Sequence, residues 1–280
     1  MKMKTYELIN LGSNFLRNNK ILSSRIDSEI ILSHIMGVPR EKLLIDEQDI
    51  KPDKIKQFKS LVLRRSKSEP VAYITKFKEF RSTSFFVDKN SLIPRPETEL
   101  LIDPIVSKFR RKKLFFLDAG IGNGCIIFSI LKELKHSRGI GIDKCKKTIF
   151  NAKKNLISLK LQNRTKLLHR PICKVFGYKF DLIVSNPPYI IKRNIKRLSK
   201  DITKYEPRSA LDGGNDGLDV IRKVIYKSSK ILKSNGILAL EVGTGQHENV
   251  IKILNENKFR LIETVKDYKN NIRCIYSTLL

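Results

Sequence analysis

The sequence predicts an α/β protein. A doubly wound, mostly parallel sheet is closed by an antiparallel edge hairpin and preceded by a small helical domain. Three observations carry this. From Lys113 onward, short apolar runs alternate with amphipathic stretches, the rhythm of repeated strand–helix units. The strand-like runs are apolar throughout, as strands covered by helices on both faces must be. Residues 1–70, in contrast, show only helical spacing. A length of 280 residues also fits roughly two domains at about 150 residues each.

In residues 1–70, Leu8, Leu11 and Phe15 recur at helical spacing, and Ile9 and Leu16 widen the stripe. Asn10 and Ser13 take the opposite, polar side, and Gly12 weakens the helix. A second helix covers 27–36, where Ile30, Ile31, Leu32 and Ile35 cluster before Gly37 and Pro39 stop it. Lys51-Pro52 opens a third, reaching about Ser66, with Ile55, Phe58, Leu61 and Val62 on one side. These helices form a bundle with a thin core. Glu69-Pro70 breaks the spacing. Val71, Tyr73, Phe77, Phe80, Phe85, Phe86 and Val87 then read as strands, so 71–92 is expected to be a β-hairpin linker. Ser91 to Arg95 leads to a helix that starts at Pro96-Glu97 and runs through Ser107.

The remaining domain, 93–280, alternates regularly. Strands are expected at 114–117, 139–142, 181–184 and 237–242. Helices are expected at 125–134, 146–159, 218–232 and 247–254. Two last strands, near 260–265 and 272–278, have no helix between them and predict the antiparallel edge hairpin.

Lys and Arg number 56 against 28 Asp and Glu, a net charge of +28 and a pI near 10.0. That excess admits contact with an anionic partner such as nucleic acid without requiring it. A general bias toward Lys, Ile and Asn, as in 192–200, with the charge spread along the chain, is the stronger account of it. No run approaches 18 apolar residues, which excludes a membrane span. Glu7, Asn10 and Ser13 interrupt any apolar leader. Cys125, Cys145, Cys173 and Cys274 are widely separated. They fit a reduced cytoplasmic protein, with neither a disulfide framework nor a metal site.

In a doubly wound sheet, ligands bind beyond the carboxyl ends of the strands. Three chemically loaded segments end three expected strands. The first is Asp118-Ala119-Gly120-Ile121-Gly122-Asn123-Gly124. Its glycines allow a tight turn and close approach to a ligand, and the helix that follows offers free N–H groups to an anion. The G-x-G-x-G spacing is tighter than a dinucleotide fingerprint and suits a methionine carboxylate with no pyrophosphate. The second is Asp143, placed to accept hydrogen bonds from both ribose hydroxyls or to cap a helix. After the next strand comes His169-Arg170-Pro171-Ile172, where Pro171 or Ile172 is available to cover an adenine.

The third segment is Asn186-Pro187-Pro188-Tyr189. Prolines lack N–H groups, so this stretch presents acceptors. The Asn186 side-chain oxygen and the Pro187 carbonyl can take the two protons of a planar NH2 group. Such a nitrogen is a poor nucleophile because its lone pair is delocalised. Accepting its protons favours the pyramidal geometry needed only as a methyl group arrives. Tyr189 is expected to stack on the planar group and fix its approach to a sulfonium methyl.

The flanks narrow the reading. Glu69-Pro70-Val71-Ala72-Tyr73-Ile74, Leu92-Ile93-Pro94-Arg95-Pro96-Glu97-Thr98-Glu99-Leu100 and Tyr205-Glu206-Pro207-Arg208 through Leu211-Asp212-Gly213-Gly214 surround these motifs. Asp216-Gly217-Leu218 and Lys266-Asp267-Tyr268 with Asn271 and Arg273 follow. With them the chain resembles the HemK/PrmC family, the N5-glutamine methyltransferases of peptide chain release factors.

The resemblance implies a Rossmann-like S-adenosylmethionine methyltransferase domain behind a helical docking domain. The implied substrate is the glutamine of the Gly-Gly-Gln motif in class I release factors. It implies cofactor contacts at Gly120, Ile121, Gly122, Asn123, Gly124, Asp143, Pro171 and Asn186. Asn186, Pro187 and Tyr189 are implied in catalysis, and Pro188, Arg95 and Glu97 in holding substrate. Read from residues alone, Arg95 to Glu99 is equally a helix start, and Glu206-Pro207-Arg208 is either a substrate lid or a plain loop.

The chain departs from the family pattern at Lys76, where a glycine is usual, and at His169 to Ile172, which lacks the usual acidic or aromatic residue. Alternatives share the Asn186–Tyr189 chemistry: a nucleic-acid methyltransferase acting on adenine N6 or guanine N2, or one acting on a ribosomal-protein glutamine. The Arg95–Glu99 and Tyr205–Leu218 flanks, and the lack of an added recognition domain, oppose the first. A non-catalytic RNA-binding protein is opposed by the intact motifs.

Overall fold

The computed structural model describes residues 3–280. Residues 1 and 2, part of the leader expectation, lie outside the described residues. The chain forms two compact units, Met1–Phe77 with Ser199–Tyr205, and Lys78–Leu198 with Glu206–Leu280.

The first unit is a helical bundle. A two-residue strand β1 (Met3–Lys4) pairs antiparallel with β2 (Asp49–Ile50). Around it lie α1 (Thr5–Asn18), α2 (Ser24–Met36), α3 (Arg40–Ile45), α4 (Pro52–Ser66) and α5 (Val71–Thr75). Leu8, Ile9, Leu16, Ile31, Leu32 and Phe58 form its core. The α1 face differs from the expected one: Leu11 and Phe15 are exposed, and Gly12 and Ser13 are buried. Gly12 is the reason. A Cβ there would lie 2.5 Å from Phe58 Cζ and 2.5 Å from Ser28 Oγ, so the bare glycine lets the core approach the helix along its own side. At the end of α2, Gly37 takes the left-handed conformation (φ 70°) that ends the helix.

Val71–Thr75 is a helix where the sequence reading expected a strand. Tyr73 and Ile74 are both buried, which an alternating strand does not permit for neighbours. The Pro70 carbonyl accepts from Tyr73 N (2.9 Å) and Ile74 N (3.1 Å) and starts the turn. Lys76 ends it with φ 69°, so the backbone keeps the glycine-type conformation although the residue is lysine. The hairpin is confined to β3 (Phe77–Phe80) and β4 (Thr83–Phe86).

In the second unit, a 3₁₀ turn at Pro96–Leu101 runs into α6 (Ile102–Phe109), where one continuous helix was expected. The alternation follows as β5 (Phe115–Ala119), α7 (Cys125–Glu133), β6 (Arg138–Asp143), α8 (Lys146–Ser158), β7 (Thr165–His169) and β8 (Phe180–Ser185). After α9 (Lys200–Tyr205), which belongs to the first unit, come α10 (Asp219–Ile231), β9 (Leu232–Glu241), α11 (His247–Glu256), β10 (Phe259–Lys266) and β11 (Ile272–Leu279). The seven strands are ordered β10-β11-β9-β8-β5-β6-β7. Only β11 runs against the other six strands: it pairs antiparallel with both β9 and β10, and with β10 it forms the expected edge hairpin. Strand β9 starts earlier than expected, because Leu232 already pairs with Phe180 before a register shift.

The sheet separates two cores. Phe116, Leu182 and Val184 face Ile102, Ile127 and Phe128, and the alternate residues Leu117, Ile183 and Leu238 face Ile221, Ile225 and Val250. Strand order reverses between β5 and β8, which places a crevice at their carboxyl ends. Among the described residues no helix is long and apolar enough to cross a membrane.

The helical unit holds one buried ion pair. Arg65 Nε of α4 lies 2.6 Å from Asp27 Oδ2 of α2, and Ser23 Oγ donates to the same oxygen at 2.6 Å. Arg65→Ala would leave the Asp27 carboxylate buried without its cation. The helical unit is expected to lose about 3–5 kcal/mol, read as an earlier urea midpoint. Arg17→Ala, at an exposed position, is expected to change it by no more than about 0.5 kcal/mol.

Candidate functional site

The crevice is a cavity of about 490 Å3, within the size range of small-molecule sites. Its floor is the loop after β5. Gly120, Gly122 and Gly124 have φ of 85°, 57° and 88°. At Gly124 a Cβ would also lie 2.1 Å from the Phe128 ring, so only glycine lets α7 start there. Gly120 N (3.0 Å) and Ile121 N (2.8 Å) both donate to Ile142 O at the end of β6. Ile121 lines the cavity and packs its side chain into the core against Gly141. Asn123 is buried. Its Oδ1 accepts from Cys125 N (3.1 Å), and its carbonyl accepts from Asn155 Nδ2 (2.8 Å), so it braces the loop.

Asp143 lines the cavity and also serves the backbone. Its Oδ1 accepts from Cys145 N at 2.8 Å and its Oδ2 from Gly122 N at 3.4 Å. Asp143 therefore borders the cavity and braces the turn before α8, but it is not the helix cap, a position that Cys145 takes. Burial raises its pKa above the ordinary carboxylate value. Asp118, beneath the loop, is fully buried. Ile127 N donates to its Oδ2 at 3.2 Å, its Oδ1 has no partner, and burial pushes its pKa up to about 7. Pro171 and Ile172 line the far wall with Val220 and Val224, while His169 is not on the wall.

The opposite end is built by the segment after β8. Ser185 Oγ donates to Ala119 O at 2.5 Å and ties the ends of β8 and β5 together. Asn186, Pro187 and Pro188 line the cavity. Asn186 Nδ2 donates to Thr98 Oγ1 (3.0 Å), and Thr98 Oγ1 donates to Glu241 Oε2 (2.6 Å). The Tyr189 hydroxyl donates to Glu241 Oε1 (3.1 Å) and accepts from Arg273 Nη2 (2.9 Å). Glu241 is wholly buried. Desolvation raises its pKa, and the bond from Thr98, the Arg273 charge and the bond from Tyr189 oppose that rise.

The structure and the sequence reading part at three residues. Gly124 is off the cavity wall and starts α7 instead. Tyr189 is not on the cavity wall: its ring packs against the second core and its hydroxyl is held between Glu241 and Arg273. Glu97 is exposed and also off the wall, where its neighbour Thr98 stands instead. At 3.0 residues per turn, neighbours in this 3₁₀ turn point about 120° apart, so Glu97 and Thr98 take different faces. Arg95 does line the cavity. Its Nη2 meets Glu206 Oε1 at 2.5 Å, and Glu206 Oε2 accepts from Ile93 N at 3.2 Å. Pro207, Ser209 and Ala210 make the wall beside it, so the segment after Asn186–Tyr189 encloses the cavity. Sequence reasoning named no role for Thr98, Glu241 or Arg273. The available signal was Glu241 itself, an acid ending an apolar strand as Asp118 and Asp143 do.

Strand order, glycine loop and strand-end Asn-Pro-Pro together define a Rossmann-like methyltransferase. A methyltransferase from Pyrococcus furiosus shares the fold at TM-score 0.51, with 15% identity over 79% of this chain and 96% of that one. The PrmC N-terminal domain family matches residues 7–75, and the Eco57I restriction-modification methylase family matches residues 71–244. A release factor glutamine methyltransferase of Clostridium acetobutylicum is 37% identical over 89% of both chains. One of Caulobacter vibrioides is 34% identical over 93% of this chain and 91% of its own. The chain belongs to the release factor glutamine methyltransferase family.

The buried Asp118 makes a pH-dependent prediction. Its folded-state pKa, about 7, stands above its ordinary value of 3.8. Its contribution is therefore fully present below about pH 4 and is lost as pH rises through about 7. Asp118→Asn cannot ionise. Its stability relative to wild type is expected to improve between pH 4.5 and 8, by about 1.4 kcal/mol for each pH unit from 4.5 up to the folded-state pKa. Urea unfolding at both pH values measures this, and a pH-independent difference would contradict it.

Proposed function

We propose that this enzyme transfers a methyl group from S-adenosylmethionine to the side-chain amide nitrogen of the glutamine in the Gly-Gly-Gln motif of class I release factors, in the cytoplasm. The observation that carries it is Asn186 on the wall of a switch-point cavity, in a chain similar along nearly its whole length to release factor glutamine methyltransferases. The cavity residues fit the cofactor. A side chain added at Gly120 or Gly122 would meet nothing within 4 Å, so the loop borders open space, and Asp143 stands beside it as an acceptor for ribose hydroxyls. Ile142, Pro171, Ile172 and Val220 offer an apolar seat for adenine. When bound, S-adenosylmethionine supplies an electrophilic methyl group.

The chain's own residues do the rest. Asn186 Oδ1 and the Pro187 carbonyl accept the two protons of the glutamine NH2 and draw its nitrogen toward a pyramidal form. Arg95, held by Glu206, borders the substrate end. Tyr189, fixed by Glu241 and Arg273, supports the Asn-Pro-Pro turn from behind. The helical unit docks the release factor.

The match of residues 71–244 to restriction-modification methylases favours a second reading, methylation of a nucleic-acid base. Labelled S-adenosylmethionine incubated in parallel with release factor, ribosomal protein, tRNA and DNA separates the two. Label is expected in the release factor glutamine, and label entering only nucleic acid would overturn the proposal. Within the release-factor reaction, Asn186→Ala is expected to lower kcat by about 10²–10³ with KM nearly unchanged. A raised KM at constant kcat would make Asn186 a uniform binding contact.

A further inference from the structure

An asparagine amide has nearly the same shape after a half-turn, yet its two ends have opposite chemistry. One end accepts protons and the other donates them. The acceptor role of Asn186 needs its oxygen on the cavity side, and the side chain alone has no preference. The orientation must come from its partners.

The network behind Asn186 leaves one arrangement of protons. An arginine only donates, and an ionised carboxylate only accepts. Arg273 Nη2 therefore donates to the Tyr189 oxygen at 2.9 Å, and Tyr189 must send its own proton to Glu241 Oε1 at 3.1 Å. Thr98 has a single hydroxyl proton, and the 2.6 Å contact with Glu241 Oε2 takes it. Thr98 then presents only lone pairs to its other neighbour. The Asn186 atom at 3.0 Å must be the NH2 nitrogen, and the oxygen is left for the cavity. Thr98 and Glu241 are themselves buried, so water does not compete for these protons.

We infer that Glu241, acting through Thr98, sets the direction of the Asn186 amide. Glu241, off the cavity wall, is a positioning residue that acts through Thr98, and Thr98, on the wall, positions Asn186 through its hydroxyl. The kinetic consequence rests on the proposed methyl transfer to an amide. The orientation itself does not.

Glu241→Gln keeps the shape and changes the proton count. Arg273 and Tyr189 still demand an acceptor at Oε1, so the new NH2 faces Thr98 and donates to it. The Thr98 proton then turns toward Asn186 and draws its oxygen away from the cavity. With release factor as substrate, Glu241→Gln is expected to lower kcat by about 10²-fold with KM unchanged. Thr98→Val is expected to lower kcat as well, and Thr98→Ser, which keeps the hydroxyl, to retain it within about threefold.

Asparagine-labelled protein gives a second reading without substrate. In wild type, the Asn186 NH2 protons are expected to show a nuclear Overhauser contact to the Thr98 methyl, and in Glu241→Gln that contact is lost. Absence of the contact in wild type overturns the inference, as does a Glu241→Gln enzyme with full kcat and an unchanged contact. If wild type leaves release factor unmethylated but shows the contact, the proposed reaction fails and the positioning role stands.

Discussion

The structure depends on a constraint of sheet topology. Parallel strands need crossovers, and right-handed crossovers that start in the middle of a sheet must build outward first to one side and then to the other. Here β5, β6 and β7 go one way, and β8 and β9 go the other. Helices leaving β5 and β8 therefore diverge over opposite faces and leave a crevice between their first turns. The glycine loop and Asn186–Tyr189 are far apart in sequence, yet they meet because each ends one of those two central strands. The bond from Ser185 to the Ala119 carbonyl closes the gap between them from below.

Acids recur around this crevice. Buried Asp118 stands next to the end of β5, half-buried Asp143 ends β6 and buried Glu241 ends β9, and desolvation raises the pKa of each. The chain carries a net charge of +28, but its cations are mostly on the surface. Behind the Asn186 wall stands Arg273, whose charge bears on Glu241 and Tyr189. Acceptors near the cavity thus work with little competition from water, where a hydrogen bond holds direction better than it does at the surface. That suits the acceptor role proposed for Asn186.

Several expectations met the structure because local chemistry decided them. Gly37 had to end α2, Pro52 had to begin α4, and the apolar runs of the sheet had to be strands. The differences lie where packing overrules local preference. Val71–Thr75 is rich in strand formers, yet it coils so that Tyr73 and Ile74 can both be buried. Gly12 looked like a weakness in α1 and instead marks its face against Phe58. Lys76 holds a glycine conformation that its own type does not favour.

The sequence by itself determined the class of fold, the loop that turns beneath the cavity and the segment rich in acceptors after β8. Each of these follows from residues adjacent in the chain, whose steric and hydrogen-bonding properties act over a few positions. Only the tertiary structure decided what surrounds Asn186. Thr98 lies 88 residues before it, and Glu241 lies 143 residues after Thr98. No local pattern joins them. They meet because a 3₁₀ turn and the end of β9 pack beside β8, and there the direction of each proton is fixed by neighbours that only donate or only accept.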